Sequence, residues 1–335
     1  MIPQAEPTSA GHFPRLLGDI GGTNARFAWQ AREGAPLTEV AVYLCDEHRG
    51  LQDAIRTYLG AHGKSVPRGC AIAIANPITG DRVQMTNRDW SFSITSVQRE
   101  LGFERLEVIN DFTAVALSLP ALAAHELRQV GTGVAVAGAP MAVLGPGTGL
   151  GVSGLVPVGQ GQGHYAPISG EGGHVTLSAS SEREAAVLQW LHHRFGHASA
   201  ERALSGPGLV NLYAAACALS RQAAGALAPA EVIELARRGT DVACVTALDL
   251  FCGFLGSVAG NLALTLGARG GVYVGGGIAP RLVVEIERSS FRERFESKGR
   301  FRGYLATIPT FIIDAGVFPA LVGAMRALDQ PAGQR

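Results

Sequence analysis

The chain has 335 residues, too many for one ordinary hydrophobic core, so two domains are expected. Apolar residues make up 47% and charged residues 17%, which argues against disorder. Lys+Arg and Asp+Glu both number 28, and a net charge of zero offers no field to attract nucleic acid or an anionic membrane.

The five cysteines, Cys45, Cys70, Cys217, Cys244 and Cys252, form no C-x-x-C pair. An odd, unclustered set argues against a disulfide framework or a zinc knuckle and favours a reducing, cytoplasmic compartment. Residues 1–13 lack the apolar core of a secretory signal. They and residues 331–335 read as flexible tails.

Leu16 to Ile20 reads as an apolar strand that breaks at Gly21-Gly22-Thr23 and returns as Arg26-Phe27-Ala28-Trp29. Glycines leave no Cβ to hold a ligand off, and successive N–H groups in such a turn can converge on an anion. Asp19 ends the strand, where a carboxylate suits a hydrated Mg²⁺. An ordinary hairpin turn is the plain alternative. Glu39 to Leu44 reads as a third strand, Leu51 to Leu59 as a helix, and Cys70 to Ala75 as a strand buried on both faces and ended by Asn76-Pro77. Helices should therefore cover both sides of that sheet. Thr79 to Asp89 reads as a polar loop, Phe103 to Ile109 as a strand, and Phe112 to Leu119 as a helix. Asn110-Asp111 falls between these two, at the strand end where open α/β sheets bind ligands. Helix capping by Asp111 is the plain alternative.

The pattern then restarts. Ala142 to Leu144 enters Gly145-Pro146-Gly147-Thr148-Gly149, and Leu150 to Val158 returns. The repeat suggests two similar halves with a ligand between them. Gly149-Leu150-Gly151-Val152-Ser153-Gly154 fits G-x-G-x-x-G, but the strand continues and no helix opens, so a dinucleotide loop is rejected. No P-loop motif occurs. Glu171-Gly172-Gly173-His174 sets a carboxylate and an imidazole beside a flexible turn, and Glu201 sits in a later loop. Carboxylates with an Asn and a His suit a neutral polyhydroxylated ligand. A capping box at Ser181 and Glu184 opens a helix that Gly196 ends. His192, His193 and His197 read as a solvated helix end and not a metal site. Pro207 opens the next helix, and helices follow at about 230–238 and 241–267. Leu250 to Ala268 carries no charge and contains a GxxxG, yet polar residues dilute it, so it reads as a buried core helix. Gly271 to Val274 is a short strand ending in Gly275-Gly276-Gly277, with a helix opened by Pro280. Thr307 to Ile313 and Phe318 to Leu328 close the chain as strand and helix.

Gly18-Asp19-Ile20-Gly21-Gly22-Thr23-Asn24-Ala25-Arg26 resembles the first phosphate motif of the bacterial glucokinase family, within the actin, hexokinase and heat-shock ATPase superfamily. Ile109 to Phe112, Leu144 to Gly151, Gly170 to His174, Ser199 to Arg202 with Leu204 to Gly208, and Gly275 to Ile278 match further motifs in order. The resemblance implies two ribonuclease H-like (actin-like ATPase) α/β domains around a central cleft, at 14–121 plus 315–330 and at 122–314. It implies an ATP-dependent glucokinase that makes glucose 6-phosphate and ADP as the first step of glycolysis. Asp111 is the implied base, and Asn110, Asp111, Glu171, His174 and Glu201 the implied glucose contacts. ATP is expected at Gly18, Asp19, Ile20, Gly21, Gly22 and Thr23, at Gly147, Thr148 and Gly149, and at Gly276 and Gly277. Mg²⁺ is expected at Asp19 through water. The cysteine-rich motif of repressor-related glucokinases is missing, so no zinc is expected. No nucleic-acid or membrane partner is expected, and a homodimer is left open. A kinase of another hexose and a non-catalytic sugar sensor remain alternative readings.

Overall fold

A computed structural model describes residues 11–85, 89–158, 165–314 and 316–330. The chain forms two compact units, one running to Ala121 and resuming at Phe318, the other spanning Leu122–Val317.

The first unit is built from β1 (Arg15–Ile20), β2 (Asn24–Gln30), β3 (Thr38–Leu44), α1 (Leu51–Ala61), β4 (Gly69–Ile74), β5 (Arg82–Gln84), β6 (Ser91–Ser93), α2 (Ile94–Leu101), β7 (Arg105–Asn110) and α3 (Asp111–Ser118). The second contains β8 (Leu127–Val130), β9 (Met141–Pro146), β10 (Leu150–Pro157), β11 (Tyr165–Ser169), α4 (Glu182–Phe195), α5 (Gly206–Leu219), α6 (Pro229–Arg238), α7 (Val242–Leu266), β12 (Val272–Val274), α8 (Val283–Arg288), α9 (Phe291–Glu296), α10 (Arg302–Ala306) and β13 (Thr310–Ile313). The last helix, α11 (Pro319–Asp329), returns to the first unit.

The sheet of the first unit runs β3-β2-β1-β4-β7 and that of the second β11-β10-β9-β12-β13-β8. Each therefore has three antiparallel strands followed by two parallel ones, with β8 added to the second. The restart seen in the sequence is a repeat of topology. In the first sheet Leu16, Ile20, Phe27 and Ile72 pack with Leu51, Ile55 and Tyr58 of α1. Leu17, Ala28 and Ala71 on the opposite face pack under Leu321, Ala324 and Leu328 of α11. Helices cover both faces, as the unbroken apolar run of β4 requires.

Helix α7 is long and apolar enough to cross a membrane by length and composition, but most of its apolar stretch is buried within the protein. Its glycines explain its neighbours. A Cβ on Gly256 would stand 2.1 Å from the Phe291 carbonyl oxygen, and one on Gly260 2.4 Å from that of Phe295, so only glycine admits α9 this closely.

Some expectations need correction. Ser181 caps α4 by accepting the Glu184 N–H, but Glu184 does not close a capping box. Its Oε2 accepts from the Ser180 N–H (2.7 Å) and from Arg294 (2.9 Å) in a buried ion pair. The segment read as a polar loop contains β5, which pairs with β6 as a small hairpin. The helix expected at Pro280 begins as a 3₁₀ turn before α8. The tails read at 1–13 and 331–335 lie outside the described residues, save for residues 11–13.

Candidate active site

In the first unit the parallel register decides what can meet. Ile20 on β1 lies level with Ile74 on β4, and Ile74 with Asn110 on β7. The three strands thus release the chain at one sheet edge, as the Gly21–Thr23 turn, as Ala75-Asn76-Pro77 and as Asn110-Asp111. This carboxyl edge is where α/β sheets offer backbone and side chains to a ligand.

The start of α3 fixes the two polar residues there. Asn110, not Asp111, is the N-cap: its Oδ1 accepts from the N–H groups of Phe112 (2.9 Å) and Thr113 (3.1 Å). Its Nδ2 donates to Asp111 Oδ1 at 3.0 Å. Asp111 Oδ1 also accepts the Phe112 N–H at 2.9 Å. One carboxylate oxygen of Asp111 is thereby anchored, at the end of a helix that favours negative charge. Both residues are half-buried.

Asp19 pairs with Arg26 across the β1–β2 hairpin, and Arg26 Nη1 donates to Asp19 Oδ2 at 2.9 Å. The guanidinium rests 4.9 Å from the Phe318 ring centroid, a cation–π contact at the start of α11. Desolvation raises the Asp19 pKa above the usual carboxylate value, against the opposing pull of Arg26. No residue pattern assigns a role to Arg26. Its part emerges only once the hairpin register sets it opposite Asp19.

The Gly21 N–H closes the turn on the Asn24 carbonyl at 2.9 Å, leaving Thr23 exposed. Gly21 does not use a left-handed φ, and a Cβ on it would meet only the Asn24 carbonyl oxygen, at 3.7 Å. Gly18 and Ile20 serve the fold. A Cβ on Gly18 would stand 2.5 Å from Ile72 Cδ1, and Ile20 is fully buried.

The second unit repeats the device. The Gly147 N–H closes its turn on the Gly149 carbonyl at 2.8 Å, and Thr148 is exposed. The turn after β12 packs against this one: Gly275 N–H donates to Leu144 O and Ile278 N–H to Pro146 O. Gly276 has φ +78°, and a Cβ on it would lie 2.5 Å from Pro146 O. Both features require glycine there. Gly276 and Gly277 are exposed.

Glu201 is tied to the same turn. Its Oε2 accepts the Leu150 N–H at 2.9 Å and occupies the space that a Cβ on Gly149 would take, 2.5 Å away. Glu171, the N-cap of a 3₁₀ turn (Gly172–His174) lying against β10, and His174, its last residue, are both exposed. A Cβ on Gly173 would meet Leu150 O at 2.1 Å. The following residues pair with the approach to Glu201 through Leu177 N–H to Ala198 O and Ala200 N–H to Val175 O, both 2.9 Å. So Glu171, His174, Glu201, the 147–149 turn and Gly276-Gly277 gather on one unit, while Asp19, the 21–23 turn, Asn110 and Asp111 gather on the other.

Among the described residues no three His, Cys, Asp or Glu side chains form a metal cage. Mg²⁺ is commonly held by one or two carboxylates with water and substrate phosphates, and Asp19 at the sheet edge fits that requirement.

The glucokinase family model matches residues 16–331. A glucokinase from Aromatoleum aromaticum is 56% identical over 95% of both chains. A glucokinase from Chromobacterium violaceum is 50% identical over 93% of this chain and 88% of its own. The crystal structure of glucokinase from an Antarctic psychrotroph superposes with a TM-score of 0.85 at 37% identity, covering 94% of this chain and 98% of that one. Two topologically matched α/β units, each with a glycine turn at its sheet edge, and these similarities place the chain in the glucokinase family, with the actin-like ATPase fold.

Proposed function

We propose that the protein is an ATP:glucose 6-phosphotransferase that uses Asp111 as its general base. The observation that supports this reading best is the register that sets Asp111 at the same sheet edge as Asp19 and the first glycine turn. Asp111 accepts the proton of the glucose 6-hydroxyl as that oxygen bonds to the γ-phosphorus. The bond from that phosphorus to the β,γ-bridging oxygen breaks, and ADP departs. Phosphoryl transfer asks for positioning and charge stabilisation more than covalent chemistry. Anchoring one Asp111 oxygen through Asn110 and Phe112 supplies the positioning.

Asn110, Glu171, His174 and Glu201 hold the remaining sugar hydroxyls. Glu201 spends Oε2 on Leu150, which leaves Oε1 for a hydroxyl. ATP lies against the glycine turns, with Thr23 and Thr148 donating to phosphate oxygens. Asp19 holds Mg²⁺ through water, and the cation supplies charge neutralisation at the phosphates when bound. The proposed setting is the cytoplasm and the proposed assembly a homodimer.

A coupled assay of ADP release with glucose, fructose, mannose and N-acetyl sugars tests this reading. Glucose should give the highest kcat/KM. Preference for another sugar would make the protein a different hexose kinase, and glucose binding without ADP release would make it a sensor.

A further inference from the structure

The second unit holds a cavity of about 400 Å³ among α6, α7 and α8, a size ordinary for a small-molecule site. Every residue that lines it belongs to that unit, and none belongs to the candidate active site. Val245 and Leu248 of α7 and Val284 of α8 give it an apolar wall. Arg237, Asp249, Glu285 and Arg288 give it two charges of each sign.

Those charges are unequally spent. Arg237 Nε donates to Glu285 Oε1 at 2.5 Å, and its Nη2 donates to the Arg281 carbonyl at 2.6 Å. Glu285 Oε2 is buried and accepts no hydrogen bond. A buried carboxylate oxygen without a donor is costly, so it calls for a partner. Asp249 and Arg288 are exposed, and among the described residues neither side chain makes a hydrogen bond or an ion pair. Burial pushes the Cys252 thiol up to about 12, and the charges of Asp249 and Glu285 add to that push, so both carboxylates reach the same buried floor.

We propose that this cavity is a regulatory site for a free α-amino acid with an apolar side chain. The ammonium donates to Glu285 Oε2 and Asp249, the carboxylate accepts from Arg288, and the side chain lies on Val245, Leu248 and Val284. The lining charges sum to zero, which suits a zwitterion and disfavours a phosphate ester or a bare amine. The site also has a mechanical link to the rest of its unit. Arg281 belongs to the 3₁₀ turn Ala279–Leu282 that follows Gly276-Gly277. A ligand bonded to Glu285 competes for the carboxylate that steers Arg237, and Arg237 holds that turn. Occupancy should therefore change the KM for ATP. That effect rests on the ATP reading of Gly276-Gly277 given above, whereas binding itself does not.

Calorimetric titration of the full chain with L-phenylalanine and L-leucine tests the site, with phenylacetate and phenethylamine as analogues that each lack one charge. Both amino acids should bind with a Kd of about 1 mM or tighter, and both analogues at least about tenfold more weakly. Glu285→Gln and Arg288→Ala should each weaken the amino acids by a similar factor, with circular dichroism melts confirming that the variants fold. Arg288→Ala should keep the parental kcat without amino acid, while saturating L-phenylalanine should shift the parent's KM for ATP at least about twofold. No binding at millimolar concentration, or binding that survives both substitutions, would overturn the site. Phenethylamine binding as tightly as L-phenylalanine would overturn the ligand class. An unchanged KM for ATP at saturation would overturn the regulatory role. Calorimetry needs no turnover, so a protein that bound L-phenylalanine but released no ADP would contradict the proposed kinase activity and leave this site standing.

Discussion

Gly323→Ala tests the packing that aims Asp111. Gly323 lies where α11 crosses α3, and a Cβ there would stand 1.7 Å from the Ala114 carbonyl oxygen and 2.3 Å from its carbon. Both are backbone atoms, so no side chain can swing aside. A normal contact needs about 3.5 Å, so the helices must separate by about 2 Å. Alanine gains about 1 kcal/mol of helix propensity. Against this stand an overpacking cost of about 1–3 kcal/mol and loosened contacts of Leu321, Ala324 and Leu328 with Leu17, Ala28 and Ala71. A net loss of about 2 kcal/mol should lower Tm by about 4–8 °C. Helix α3 begins at Asp111, so its displacement also misplaces the proposed base. A shift of about 1 Å can cost about 100-fold in rate. Thermal melts and coupled ADP release on the same preparation read both effects. A parental Tm with a parental kcat would refute the close crossing and its role. A lowered Tm with parental kcat would refute the role alone.

Gly149→Ala should push the Glu201 carboxylate off the Leu150 N–H, a charge-assisted bond of about 1.5–3 kcal/mol, and raise the glucose KM about tenfold or more; an unchanged KM would separate Glu201 from the sugar. Glu184→Leu strands Arg294 in a buried site and should cost about 3–5 kcal/mol in urea denaturation. The double variant with Arg294→Met should recover much of that loss, and strictly additive losses would contradict the pairing. Asp81 accepts from the Ser93 and Thr95 hydroxyls and the Thr95 N–H, which hold its pKa down at about 2 against an ordinary 3.8. Its folded pKa is depressed, so its stabilisation is present above 3.8 and lost as pH falls toward 2. The gap in urea midpoint between the parent and Asp81→Asn should close across that window, and a constant gap would contradict the linkage.

The sequence announces what glycine and apolar periodicity announce well. The hairpins around Gly21 and Gly147, the buried strand β4 and the core helix α7 are legible because each bears an unbroken local signal. The capping of α4 is half legible: Ser181 behaves as its type suggests, while Glu184 is claimed by Arg294 from a helix more than a hundred residues away. No local pattern carries that pairing. The motif residues of the candidate site are visible, but their partners are not. Arg26 meets Asp19 only through hairpin register, and Glu201 meets Leu150 only because Gly149 leaves room. The small strands β5, β6, β8 and β11 escape because edge and hairpin strands of three to five residues are too short to show a period.

Asp111→Asn keeps the shape of the proposed base and removes its basicity. Steady-state kinetics of glucose phosphorylation, with glucose and ATP affinities of the same protein from calorimetry, should give a kcat reduced by about 10²–10⁴ while both affinities stay near the parent's. A kcat close to the parent's would remove Asp111 from proton transfer and leave the proposed chemistry without its base.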